Sequence, residues 1–146
     1  VARFADRVAS MQPIHLRDDG LIAEALLGAD RMNEFFAFRS LANSGTILAF
    51  GSDWPISPPD VLEGIAAAVD GCARDGTSVL GGETITRNRA IEAFTADARA
   101  SLFMPVITPA VGEPADLVLL ADEPPRVLAT IMNANLTYHA PLCPTT

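Results

Sequence analysis

Thr46-Ile47-Leu48-Ala49-Phe50-Gly51-Ser52-Asp53-Trp54-Pro55 is a run of five apolar or β-branched residues that passes into a Gly-Ser-Asp turn closed by proline. A short apolar run bounded by glycine reads as a strand covered on both faces, the habit of parallel sheets. Such sheets carry their functional groups where the strands end, which puts Asp53 at the rim of a site. A carboxylate there can bind a metal or take a proton from water. Asp followed by Trp-Pro also suits an Asx turn or a helix cap. The residues alone leave both readings open.

Toward the amino end, Val8 to Gln12 is a second apolar stretch that stops at Pro13, with His15 in the loop beyond. Asp18 and Asp19 precede Leu21–Leu27, a short helix stopped by Gly28. Asp30 is placed to cap a longer helix that carries Met32, Phe35, Phe36 and Leu41 as far as Gly45. Strand, helix and buried second strand make a parallel crossover, right-handed by rule.

Toward the carboxyl end, Pro58-Pro59-Asp60 opens a helix in which Val61, Leu62, Ile65, Val69 and Cys72 recur as one buried stripe. Thr84 and Thr86 are placed to cap a helix carrying Ala90, Ile91, Phe94 and Ala98 inward. Beyond Phe103 the character changes. Ala115–Leu120 reads as a strand, and Ala129–Met132 with Leu136–His139 reads as a hairpin around Asn133-Ala134-Asn135. The tail, Pro141 to Thr146, reads as loose.

A chain of 146 residues that is 49% hydrophobic can bury a core of its own. Its net charge of −8 opposes binding to nucleic acid or to an anionic membrane, so neither is expected as a partner. All ten basic residues are arginine, which excludes Schiff-base chemistry and a carboxylated-lysine metal bridge from this chain's own residues. Cys72 and Cys143 lie far apart without a Cys-x-x-Cys partner, so a reduced, cytoplasmic protein is expected. Val1 to Arg7 carries charges on an amphipathic pattern, unlike a signal-peptide core, and no apolar run approaches the roughly 18 residues of a membrane span.

Four motifs in order resemble the amidohydrolase superfamily, in particular the branch that contains N-substituted formamide deformylases. They are Ser10-Met11-Gln12-Pro13-Ile14-His15, Arg39-Ser40-Leu41 with Gly45, Phe50-Gly51-Ser52-Asp53-Trp54-Pro55, and Ala115-Asp116-Leu117-Val118-Leu119-Leu120. The resemblance implies an α/β fold, the carboxyl-terminal part of a TIM-like (β/α)8 barrel followed by strands of a small β-sandwich. On that pattern residues 1–102 are the last two strand-helix units and residues 103–146 the β-strands. Two departures stand out: Glu113 replaces the lysine usual before the late strand, and Asn133-Ala134-Asn135 lacks the usual hairpin glycine.

The activity implied is hydrolysis of non-peptide C–N bonds in a small amide-type substrate, with a divalent metal, zinc before others, as cofactor. Complete members supply His-x-His after the first barrel strand, a lysine or acid after the fourth, histidines after the fifth and sixth, and an aspartate after the eighth. Asp53 alone has a counterpart here, as metal ligand and proton acceptor. His15 would donate to the substrate carbonyl or leaving group, or else is a loop histidine bonded to backbone. Gln12 would orient substrate or satisfy the strand end, and Trp54 would wall an apolar pocket or pack on the rim.

With one ligand, the isolated chain is expected to be inactive and to bind no zinc. The alternatives are an assembly module derived from such an enzyme, or a proteolytic remnant of one. Strands without neighbours predict open edges, hence a homo-oligomer or tight binding to the missing amino-terminal portion. Phe35, Phe36 and Phe38 read as core packing, Cys72 as a buried small hydrophobe, Asp116 as a strand-edge polar group and His139 as solvent-facing.

Overall fold

Val8–Met11 (β1) and Ile47–Phe50 (β2) pair in parallel, with Val8 opposite Ile47 and Met11 opposite Phe50. The structure, a computed structural model, describes residues 7–123 and 125–141. Expectations for the first six residues and for the tail with Cys143 lie outside that range. The chain divides into two compact units, 1–106 and 107–146. Among the described residues no helix is long and apolar enough to cross a membrane.

In the first unit the expected crossover is present. Ile47 N–H donates to Arg7 O at 2.9 Å and Gly51 N–H to Met11 O at 3.1 Å, so the ladder continues past both strand ends. Leu48, Ala49 and Phe50 are buried, as a strand covered on both faces requires. Between the strands run α1 (Leu16–Asp19), α2 (Ala23–Leu27), a 3-10 turn (Ala29–Glu34) and α3 (Phe38–Asn43). Asp18 and Asp19 therefore lie inside a helix of their own and do not cap the next one.

The single helix expected from Asp30 to Gly45 is interrupted. Phe35 is extended and Phe36 sits at φ 45°, and Asp30 caps nothing. The cause is the Phe-Phe-Ala-Phe cluster. A continuous helix would turn Phe36 about 100° away from Phe35, whereas the break lets Phe35 and Phe36 both pack on the core around fully buried Phe38. Ring contacts then run from Phe38 to Phe50 at 5.1 Å and from Phe50 to Phe94 at 5.5 Å.

Helix α4 (Val61–Asp70) starts at Asp60, whose carboxylate accepts from Glu63 N–H at 3.0 Å, and stops at Gly71, left-handed at φ 66°. Its buried face keeps part of the expected stripe: Ile65 is buried with Gly64, Ala67 and Ala68, and Leu62 packs against the core, while Val61 and Val69 are exposed. Small residues win this face because the helix lies close to its neighbour: a Cβ at Gly64 would meet the Phe94 ring tip at 2.7 Å. Cys72 lies beyond the helix, half-buried, in a one-residue bridge to Ser78.

Thr86 caps α5 (Arg87–Phe94), accepting from Arg89 N–H at 3.3 Å. Thr84 does not cap α5 but follows the 3-10 turn Gly81–Glu83, and its carbonyl accepts from Arg39 Nε at 3.0 Å. Ala98 belongs to a separate helix, α6 (Ala96–Ser101).

The second unit is an antiparallel sheet of β3 (Leu117–Ala121), β4 (Arg126–Met132) and β5 (Asn135–His139). Met132 pairs with Asn135, which leaves a two-residue turn at Asn133 and Ala134 with φ of 49° and 62°. Two positive φ values suit the tightest hairpins. Asp116, just before β3, accepts from Asn133 N–H at 2.8 Å and so ties the hairpin turn. His139 is exposed.

Candidate functional site

Because Met11 and Phe50 are in register, the loops after β1 and β2 leave the sheet side by side at its carboxyl edge. Gln12, Pro13, Ile14 and His15 come from the first loop and Ser52, Asp53 and Trp54 from the second. Parallel α/β sheets bind their ligands at this edge.

Asp53 sits at φ 57°, a left-handed conformation that costs a non-glycine residue about 1 kcal/mol or more. Its side chain is exposed and has no hydrogen-bond partner among the described residues. The turn is closed by main chain instead, with Ile56 N–H donating to Asp53 O at 2.8 Å. The cap of the next helix is Asp60. The Asx-turn and helix-cap readings of Asp53 both fail, and the strained position presents a free carboxylate.

His15 ends the 3-10 turn Pro13–His15, its N–H donating to Gln12 O at 3.0 Å. The imidazole makes no backbone bond among the described residues. Its Nε2 is shielded from solvent and has no hydrogen-bond partner among the described residues. Gln12 is half-buried and its side chain makes no cap bond. Trp54 is 70% exposed, so it does not pack on the rim. A cleft of about 340 Å³ lies among Ile14, Asp18, Ile56 to Pro58, the start of the next helix at Asp60 and Glu63, and Arg74; none of Gln12, His15, Asp53 and Trp54 lines it.

Arg17, which the sequence reading passes over, is the buried charge of this region. Its guanidinium donates to Glu63 at 2.5 Å, to both Asp70 oxygens at 2.8 and 2.9 Å, and to Cys72 O at 2.6 Å. The hydrogen bond to Asp70 raises the Arg17 pKa above its ordinary value, burial opposes this, and Glu63 adds to the rise. At Asp70 burial favours the protonated form, but the bonds from Arg17 and Cys72 N–H outweigh it and hold the carboxyl below its usual range. The available signal was the spacing of Glu63 and Asp70, seven residues apart on one helical face. Arg74 forms a bidentate pair with Asp18 nearby, which lowers the Asp18 pKa.

Among the described residues no three or more His, Cys, Asp or Glu side chains converge as a metal site. A zinc site needs three or four ligands. The residues present therefore do not by themselves fit the metal that the resemblance implies.

The carboxyl edge of the parallel strands thus carries a free acid and a loop histidine on an α/β scaffold. The chain belongs to the amidohydrolase family, whose model matches residues 3–138. It is 32% identical over 127 residues to a Bacillus subtilis (strain 168) protein named "Putative amidohydrolase YtcJ", covering 77% of this chain and 24% of that protein. It is 44% identical over 63 residues to "Protein LONG AFTER FAR-RED 3" of Arabidopsis thaliana, covering 42% of this chain and 11% of that protein. The chain thus spans a quarter or less of the length of these curated relatives. No solved structure matches it.

Proposed function

We propose that this chain is the carboxyl-terminal barrel and β-domain portion of an amidohydrolase that cleaves non-peptide C–N bonds in small amides of the formamide type. The observation that carries the reading is Asp53: an exposed carboxylate without a partner, held in a left-handed turn at the carboxyl edge of a parallel strand. In the assembled enzyme it accepts the proton of the attacking water and returns it to the departing amine as the C–N bond breaks. His15 donates to the carbonyl oxygen or leaving group, Gln12 orients the substrate and Trp54 walls its apolar side. Asp53 would be one ligand of the divalent metal, zinc before others, that the resemblance implies.

A second reading, an assembly module without catalysis, draws on the solitary carboxylate. One experiment separates the two. The chain is joined to the upstream portion of the Bacillus subtilis relative and assayed with zinc on N-substituted formamides. Hydrolysis is expected, with a loss of about 10²-fold or more in Asp53→Asn, which keeps size but removes the base, and a smaller loss in His15→Ala. Hydrolysis unchanged in Asp53→Asn would remove the catalytic role.

A further inference from the structure

We propose that Arg17 is a positioning residue that fixes the loop carrying His15 against the loop carrying Asp53. Its functional meaning rests on the reading of those two residues as the working groups; the clamp itself is read from geometry.

Arg17 follows His15 by two residues, and its side chain is 8% exposed. All its bonds go to α4 or the turn just after it. Glu63 lies in the first turn of α4, Asp70 is its last residue, and Cys72 O lies two residues beyond. One guanidinium therefore holds both ends of the helix. That helix is the continuation of the Asp53 loop: the loop leaves β2 at Gly51 and ends at Asp60, which caps α4 through Glu63 N–H. Glu63 thus bonds the loop end through its main chain and Arg17 through its side chain. The main chain adds a further tie, Arg74 N–H donating to Arg17 O at 2.7 Å, and α4 packs directly on Pro13–His15.

A stabilising role alone does not call for this arrangement, because buried ion networks are often replaced by apolar residues without loss of stability. What a planar fork supplies is direction. It meets Asp70 with two parallel bonds and Glu63 with its third nitrogen, geometry that a lysine ammonium cannot reproduce. A shift of about 1 Å between two catalytic groups is enough to lower turnover strongly.

The test uses the full chain, labelled for NMR, with Arg17→Lys, Arg17→Met and, as control, Arg31→Gln, which breaks an exposed pair with Glu34 away from the clamp. Amide exchange is followed at His15 and Ile56, whose N–H groups close the two loops, and at Ala90 in α5 as a reference. Arg17→Lys is expected to speed exchange about tenfold at His15 and Ile56 together and to shift the Trp54 indole and His15 ring signals, with Ala90 unchanged. Arg31→Gln is expected to leave all of them in place. If the Arg17 variants fail to fold, Glu63→Gln decides, since it alters a half-exposed side chain: His15 on the other loop must respond along with Ile56. Response confined to the substituted side, or no response, overturns the proposal. In the joined enzyme, Arg17→Lys is expected to lower kcat about tenfold with KM unchanged; kcat unchanged would also overturn it. An Asp53→Asn enzyme that retains full activity removes the catalytic role of Asp53 and leaves the exchange result standing.

Discussion

Gly64 is where α4 comes closest to the aromatic chain that supports β2. A Cβ there would lie 2.7 Å from the tip of the Phe94 ring, which itself packs on Phe50. Phe94 cannot move aside without disturbing Phe50, the last residue before the Gly-Ser-Asp turn. Helix propensity alone favours Gly64→Ala by about 1 kcal/mol, but overpacking a filled core costs about 1–3 kcal/mol. We expect Gly64→Ala to lower the urea midpoint, and Gly64→Val to lower it further. A rise in stability for Gly64→Ala would mean that α4 stands further from Phe94. The same residue scale explains Asp53: its carboxylate is unbonded although Asp60, seven residues on, is bonded. Both are acids in a Pro-rich loop, and nothing in residue type separates them. The difference is position, one at a strand end and one before the first helical turn.

At the scale of elements, α1 and α4 are joined by the Arg17 network, and its acid limb is predictable. Asp70 has a lowered pKa, so its contribution is complete above the ordinary carboxylate value of about 4 and is lost as pH falls through the lower folded value. Arg17 has a raised pKa and stays charged across this range, so it adds nothing to the acid limb. The stability difference between wild type and Asp70→Asn should therefore be constant from pH 7 to about 5 and shrink below about 4. Because the Asp70 side chain is 45% exposed, the plateau difference should stay near 1 kcal/mol. A difference that persists undiminished at about pH 2 would mean the Asp70 carboxylate is not the acid-sensitive group. The strands were legible in the sequence because an apolar run bounded by glycine or proline has one simple reading, and the pairing of β1 with β2 followed. The break at Phe35–Phe36 was not, since helical spacing tracks apolar positions and says nothing of three rings that must reach one side. On α4, Leu62 and Ile65 were legible as inward residues, but Gly64, Ala67 and Ala68 were not, because small residues carry a weaker apolar signal than the exposed Val61 and Val69.

At the scale of the molecule, the sequence puts Asp53 just past the end of an apolar strand, and it lies there, after Ile47–Phe50. Partners for it were not legible, and among the described residues no three or more His, Cys, Asp or Glu side chains converge. The two-stranded sheet bears on association. Among the described residues the parallel sheet has two strands and no third, so each strand has an outer edge without a strand partner. In the second unit Val118, Leu119, Leu136 and Tyr138 are exposed on a three-stranded sheet, and β5 is exposed along its whole length. Open edges and apolar sheet faces invite pairing with another chain, and contiguous apolar patches beyond several hundred Å² are uncommon on soluble monomers. A three-stranded sheet also needs a covered hydrophobic face to be stable. The chain's net charge of −8 opposes close approach of two copies, so association should strengthen with salt. We expect sedimentation velocity on the pure chain to show a concentration-dependent dimer, two-fold because the same edge or face is offered by each copy. The dimer should dissociate on dilution and tighten between low and moderate ionic strength. A chain that stays monomeric at high micromolar concentration, in salt, with a sharp cooperative unfolding transition, would show that the two strands and their helices close a core of their own and that the sheet faces need no partner.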